Sequence, residues 1–431
     1  MGSNSELLKT LLAEQAEVIQ LGLAFLNPRE SQFYTLGPDL KRIQAAVGMR
    51  RVGKTFCLFE KIADLIQTHE IPMYKILYLN FEDDRLLPCS QGDLASLLEA
   101  FYAIYPQNYE EKCYFFLDEI QNVENWSLVI RRFFDTKNIE IYLSGSSAKL
   151  LSKEIATELR GRCMKTEVWP YSFTEYLKYS RNPLIKNIKT GLFSQKNKDI
   201  LYAILKTYLH QGGFPEVLNA NNLDRKRILQ DYVEVVILRD VVERHEIKNI
   251  KLIKYLIKTL LKNRGAGFSV NKFYNDTKSQ NISVSKNLLY DYMDYLEDAY
   301  LIFSVPMYNE SLRKTQVNPK KVYAVDPGLA EAYSFSVNDN YGHLFENLVF
   351  LDLKRQGHEI YYYETKEGHE VDFFVEHPET GQKLYQVAWD LSDPKTLARE
   401  ERALEAAKAE LNIPGEIISP ENYIEKIFKT L

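Results

Sequence analysis

The sequence has few of the features that would set it apart from an ordinary globular protein. Its four cysteines, Cys57, Cys89, Cys113 and Cys163, are scattered with neither CxxC nor His-paired spacing. That argues against a disulfide framework and against a structural zinc site. No apolar run approaches the length that crosses a bilayer. The LGLAFL stretch near the start is short and preceded by Glu14 and Glu17, so it does not read as a signal peptide. Low-complexity tracts and internal repeats are absent. A formal net charge of −5 argues against a protein that coats nucleic acid along its whole surface, while leaving room for local basic patches. Together these absences predict a cytoplasmic protein of a reducing compartment, with no membrane segment.

What remains is a globular composition, 45% hydrophobic and 26% charged, in a chain of 431 residues. That length suits about two to four domains rather than one. From about Lys41 the pattern alternates. The apolar runs RIQAAVG, KILYLNF, CYFFLDE and IEIYLSGS read as buried parallel strands with helix-length segments between them, and RCMKTEVWP adds a fifth. Helical patterning then runs from Tyr171 to about Glu246, broken at HQGGFP. A unit of short helices and a hairpin-like pair, LIFSVPMY and KKVYAVDPG, follows, and a last α/β unit begins near Tyr341.

The strongest chemical signal is Gly48-Met49-Arg50-Arg51-Val52-Gly53-Lys54-Thr55, which satisfies G-x4-G-K-[ST] between a strand and a helical pattern. Its glycines let the backbone curl so that N–H groups, together with the helix N-terminus, face phosphate oxygens. Lys54 is expected to reach the β- and γ-phosphates of ATP, and Thr55 to ligate Mg²⁺. The strand CYFFLDEIQ ends in adjacent carboxylates, which places Asp118 near the metal and Glu119 where it polarises the attacking water. Ser144 and Ser146, at the end of IEIYLSGS, are candidates for contact with the γ-phosphate or its water. Arg160 and Arg162, in ATELRGR, are candidates for a charge-stabilising arginine inserted from a neighbouring subunit.

These elements in this order resemble the AAA+ superfamily of P-loop ATPases, in the archaeal-type and bacterial branch that carries a C-terminal nuclease-like domain of unknown function. The residues behind the resemblance are GMRRVGKT, FFLDEIQNVENW, LSGSSAKLL with LRGR, WPYSFTEYL, YLHQGGFPEVL, LRDVVER, KVYAVDPGL, FENLVFLDLKRQG and HEVDFFV. It covers the chain from about residue 36 to its end. The resemblance implies an α/β fold with an AAA+ core, a helical lid, a winged-helix-like unit and an α/β restriction-endonuclease-like unit. The expected boundaries are 1–35 for an N-terminal helical segment, then 36–170, 171–246, 247–335 and 336–431. It also implies ATP hydrolysis and a homo-oligomer, because such sites commonly sit between subunits.

Two regions bear on what ATP drives. In NIKLIKYLIKTLLKN the lysines Lys251, Lys254, Lys258 and Lys262 recur at helical spacing opposite an apolar face. They suggest contact with a DNA backbone. SVSKNLLYDYMDYLEDAYLI reads as a second helix after a short turn, and its Asp291, Asp294, Glu297 and Asp298 suit a major groove poorly. In the last unit Glu346 and Asp372 match the first acids of a PD-(D/E)xK site, but Gln386 and Ala388 stand where a second carboxylate and the lysine belong. Lys383 falls on the opposite strand face from Gln386. The expectation is therefore a nuclease-like frame without catalytic power. Either an ATP-driven DNA-associated machine or a nucleotide-gated switch acting on a protein partner fits these residues; an active Mg²⁺ nuclease requires cleavage that Asp372→Ala abolishes.

Overall fold

The computed structural model describes residues 2–37, 40–146, 159, 161–188, 193–262, 265–309, 311, 319–333 and 341–429. The chain divides into two compact units, Met1–Trp169 and Pro170–Leu431.

The first unit is built on five parallel strands: β1 (Ile43–Gly48), β2 (Ile76–Asn80), β3 (Cys113–Asp118), β4 (Ile139–Ser146) and β5 (Cys163–Glu167), in the order β2-β3-β4-β1-β5. Every residue of β1 and β3 is buried, as expected of central strands covered by helices on both faces. The helices α1 (Gly2–Ala24), α2 (Lys54–Gln67), α3 (Gln91–Ile104) and α4 (Trp126–Thr136) surround this sheet. A capping box between Ser90 and Asp93 starts α3 by supplying partners for two otherwise open backbone N–H groups.

One face is sealed by Ile19 of α1, Leu58, Phe59 and Ile62 of α2, and Tyr78, Phe116 and Tyr142 of the sheet. Each such side chain contributes about 1.5–3 kcal/mol on burial. The α1 helix also closes the sheet edge. The Gln15 amide donates to the Ile76 carbonyl and accepts from the Tyr78 N–H, both at 3.1 Å, so the open rim of β2 is not left as a template for another strand.

In the second unit, helices Phe173–Tyr179, Gln195–Gln211 and Asn222–Val235 are followed by a π-helical stretch, Val236–Val242. The helix Ile250–Lys262 buries Leu252, Ile253, Leu256, Ile257, Leu260 and Leu261. A small sheet of order β6-β8-β7 joins β6 (Gly267–Phe268), β7 (Ile302–Val305) and β8 (Lys320–Ala324), with β7 and β8 antiparallel. Within SVSKNLLYDYMDYLEDAYLI, expected as the second helix of this region, the helix spans Lys286–Asp298. The structure inserts another, Val270–Ser279, before it. Only Phe273 and Thr277 of that helix are buried, too few apolar positions to register as a helical period.

The chain ends in a sheet of order β12-β11-β10-β9, made of β9 (Glu359–Glu364), β10 (Glu370–His377), β11 (Gly381–Val387) and β12 (Gly415–Ile418). Helices Tyr341–Arg355, Pro394–Leu411 and Pro420–Phe428 accompany it. Val371, Phe374 and Leu384 of the sheet pack on Ala403, Leu404 and Ala407 of the second of these helices.

Candidate functional site

The loop leaves the carboxyl end of β1 and enters α2 directly. A Cβ at Gly48 would lie 2.2 Å from the Val168 carbonyl oxygen, so no larger residue fits where the loop departs. Gly53 has φ 101° and is the residue from which α2 starts, a conformation that glycine adopts without strain. Met49 and Val52 anchor the loop from inside, buried to 1% and 0% exposure, while Arg50 and Arg51 lie toward solvent, Arg50 pairing with Glu82 at 3.4 Å. Lys54 is buried; its Nζ donates to the Met49 carbonyl at 3.2 Å and stands 3.7 Å from Glu119 Oε1.

Strand β4 separates β1 from β3 and brings Ser144 beside the acids. The Ser144 hydroxyl donates to Asp118 Oδ1 and accepts from the Glu119 N–H at 3.1 Å, and Tyr78 donates to Asp118 Oδ2 at 3.1 Å. Burial is the largest influence on Asp118 and pushes its carboxyl up to about 6, against hydrogen bonds from Ser144, Thr55 and Tyr78. Glu119 occupies the left-handed region at φ 50°, a strained position that turns its side chain away from the strand direction. The structure therefore brings Lys54, Thr55, Asp118, Glu119 and Ser144 together. Ser146 continues β4 opposite Gly48 in the strand pairing, but its side chain lies outside the described residues.

The oxygen-only donors Thr55 and Asp118 suit Mg²⁺, which keeps waters and takes its remaining ligands from nucleotide phosphates. Among the described residues no group of three or more His, Cys, Asp or Glu side chains is placed to hold a metal ion. Two residues at the site escaped the sequence reading. The buried Arg29 guanidinium donates to the Val52 carbonyl at 2.8 Å and the Trp169 carbonyl at 2.5 Å, bracing the loop from a segment with no motif. Gln121, two residues after Glu119, donates to Glu119 Oε2; its place in DEIQ was visible, its role was not.

Of the two arginine candidates, Arg160 lies outside the described residues. Arg162 precedes β5 at the amino end of the sheet, opposite the end from which the loop departs, and pairs with Asp135 at 3.2 Å.

In the second unit, Lys251, Lys258 and Lys262 are exposed, whereas Lys254 is half-buried and paired with Glu234. Glu346, Asp372 and Gln386 do converge, in a cavity of about 480 Å³. Lys383 turns away from it and pairs with Glu416 at 3.1 Å. The cavity nevertheless contains a lysine, Lys321 of β8, 2.9 Å from Asp372 Oδ1 and 3.2 Å from Glu346 Oε1. The only sequence signal for it was a charge inside the apolar-alternating run KKVYAV.

A parallel sheet whose phosphate loop faces a buried Asp–Glu pair across an intervening strand defines an AAA-type ATPase domain, and residues 40–177 match the AAA domain family. Residues 202–339 and 341–418 match two domains of unknown function, DUF8612 and DUF4143. The chain belongs to the family of MJ1544, an uncharacterized protein of Methanocaldococcus jannaschii, with 37% identity over 377 residues, covering 86% of this chain and 80% of that protein. An uncharacterized protein of Haemophilus influenzae is 30% identical over 322 residues, covering 75% of this chain and 76% of its own. Among solved structures, the Walker-type ATPase PABY2304 of Pyrococcus abyssi aligns with a TM-score of 0.43 and 15% identity, covering 68% of this chain and 91% of that one.

Proposed function

We propose that the protein is a Mg²⁺-dependent ATPase of the AAA+ type whose nucleotide state is coupled to association with DNA. The observation that carries the ATPase reading is the convergence of Lys54, Thr55, Asp118, Glu119 and Ser144 at the carboxyl end of one sheet. Thr55 and Asp118 would hold Mg²⁺, which when bound would supply charge neutralisation on the nucleotide phosphates. Lys54 holds the γ-phosphate, and Glu119, oriented by Gln121, takes hydrogen bonds from the attacking water. Ser144 keeps Asp118 and the Glu119 backbone in register with one another. Arg162, with Arg160, is assigned to a neighbouring subunit's site in a homo-oligomer, because it stands at the far end of its own sheet.

The DNA reading is supported by the exposed lysines Lys251, Lys258 and Lys262 of helix Ile250–Lys262; Lys254 contributes less, since Glu234 already pairs with it. Residues 171–246 act as the lid, 247–335 as a winged-helix-like unit and 336–431 as a nuclease-like unit that does not cut. The acidic helix Lys286–Asp298 favours a second reading, a nucleotide-gated switch whose partner is a protein. Mg²⁺-dependent ATP hydrolysis measured with and without single- and double-stranded DNA, with Glu119→Gln as the blank, separates the two. Stimulation by DNA supports the coupling; hydrolysis indifferent to every DNA offered leaves the switch; no hydrolysis above the blank overturns the ATPase reading.

A further inference from the structure

The C-terminal cavity is lined by carboxylates, and its most buried cation comes from a strand outside the terminal sheet. Strand alternation puts Lys321 and Tyr323 on one side of β8. That strand is docked on the helix Tyr341–Arg355 by Asn347, whose amide donates to the Ala324 carbonyl at 3.0 Å and accepts the Ala324 N–H at 2.8 Å. The Lys321 side chain is 3% exposed, and its Nζ lies 2.8 Å from Glu370, 2.9 Å from Asp372 and 3.2 Å from Glu346. An ammonium has three N–H donors; Lys321 donates to Asp372 and Glu346 in charge-assisted hydrogen bonds and forms an ion pair with Glu370. Burial works against the Lys321 charge. The surrounding Tyr323, Asp372, Glu346 and Glu370 outweigh that and hold its pKa well above the ordinary value.

Two of these carboxylates accept further hydrogen bonds. Asp372 Oδ2 accepts the Val387 N–H at 2.9 Å, and Glu346 Oε1 also accepts the Tyr323 hydroxyl at 2.7 Å. Gln386 accepts the Asp372 N–H at 3.2 Å through its oxygen and donates to Glu400 at 2.6 Å through its nitrogen. Mg²⁺ demands near-octahedral oxygen ligands at about 2.1 Å, and the ammonium sits where those ligands would converge.

We infer that Lys321 is a built-in cation that closes the C-terminal carboxylate pocket to divalent metal and ties β8 to the helix Tyr341–Arg355 and to β10. The cavity is an ion-paired joint, not a metal-dependent phosphodiester-cleaving site. This rests on the non-cutting reading of residues 336–431 and names the residue responsible; the ATPase reading stands apart from it.

Mn²⁺ titrated into the nucleotide-free full chain, with unbound ion read by electron paramagnetic resonance, tests the inference. Lys321→Met gains one Mn²⁺ site per chain relative to the unsubstituted protein, and adding Asp372→Asn removes it. Equal Mn²⁺ binding by the two chains, with Lys321→Met folded by circular dichroism, overturns the inference. So does Mn²⁺ binding or Mg²⁺-dependent DNA cleavage by the unsubstituted protein that Asp372→Asn abolishes. Where Lys321→Met does not fold, acetic anhydride labelling of the unsubstituted chain decides by mass spectrometry. A Lys321 amine protected equally with and without Mn²⁺ supports the closed pocket, and Mn²⁺-induced labelling overturns it. ATP hydrolysis on the same samples judges the P-loop separately, so either reading can fail alone.

Discussion

Each unit contains a buried lysine facing carboxylates, and the two arrangements differ in what the lysine touches. In the first unit, Lys54 donates to a backbone carbonyl and stays 3.7 Å from Glu119, beside a helix N-terminus whose N–H groups suit phosphate. In the second, Lys321 contacts three carboxylates at 2.8–3.2 Å on a strand that Tyr323 and Asn347 fasten to the helix Tyr341–Arg355. The residue types are nearly the same. A ligand site keeps its charges apart and leaves them to be completed from outside; an internal ion pair supplies the compensating charge from within the chain.

The sharpest way to break that comparison is to remove each lysine. Lys54→Met is expected to lower kcat for ATP hydrolysis by at least about 100-fold while the urea midpoint hardly moves. Lys321→Met is expected to do the reverse, costing about 3–5 kcal/mol of stability through uncompensated buried carboxylates and leaving hydrolysis in the folded fraction unchanged. Equal stability losses for the two would erase the distinction. Glu119→Gln should next reduce kcat by about 10²-fold with nucleotide binding retained in an equilibrium assay; lost binding instead would make Glu119 a structural partner of Lys54.

Another buried carboxylate of the chain belongs to neither arrangement. Asp326 is buried, accepts the Gly213 N–H at 2.7 Å and the Leu329 N–H at 2.8 Å, and burial pushes it up to about 6 from 3.8. Because the folded state favours its protonated form, its contribution is fully present below pH 3.8 and is lost as pH rises through about 6. The stability cost of Asp326→Asn relative to the unsubstituted chain should therefore shrink between pH 4 and pH 7. The decrease should be about 1.4 kcal/mol for each pH unit separating the folded carboxyl from the unfolded one, as read from paired urea midpoints. A constant difference would show that its hydrogen bonds, not its burial, dominate. Smallest of all, replacing Lys251, Lys258 and Lys262 together should weaken DNA binding and flatten its dependence on log[salt] by about one unit per lysine; an unchanged slope assigns the helix to the protein-partner reading.

Much of the first unit was legible in the sequence. Strands β1 to β4 appear where apolar runs predicted them, because a parallel strand covered on both faces is largely apolar and stands out from its helices; the edge strand β5, CMKTE, is mostly half-buried. The candidate residues Lys54, Thr55, Asp118, Glu119 and Ser144 were also named from the sequence, since a phosphate loop is a contiguous motif and the acids end a strand, and the fold brings them together. Arg29 and Gln121 were not, as each acts through a backbone or side-chain partner that only folding brings near. The helix Val270–Ser279 was missed because it buries too little to leave a period.

The sequence by itself determined a nucleotide-binding α/β unit, its loop and its acids, because those requirements are local: a turn that tolerates glycine only, a lysine one step into a helix, carboxylates at the end of a strand. It also showed that residue 388 carries no lysine for the nuclease-like frame that the resemblance implies. Tertiary structure alone decided that a lysine, Lys321, joins Glu346 and Asp372 in the C-terminal cavity. Spacing along one strand says nothing about which other strand lies within hydrogen-bonding reach of it, and an ion pair at that distance turns a set of candidate ligands into a closed contact.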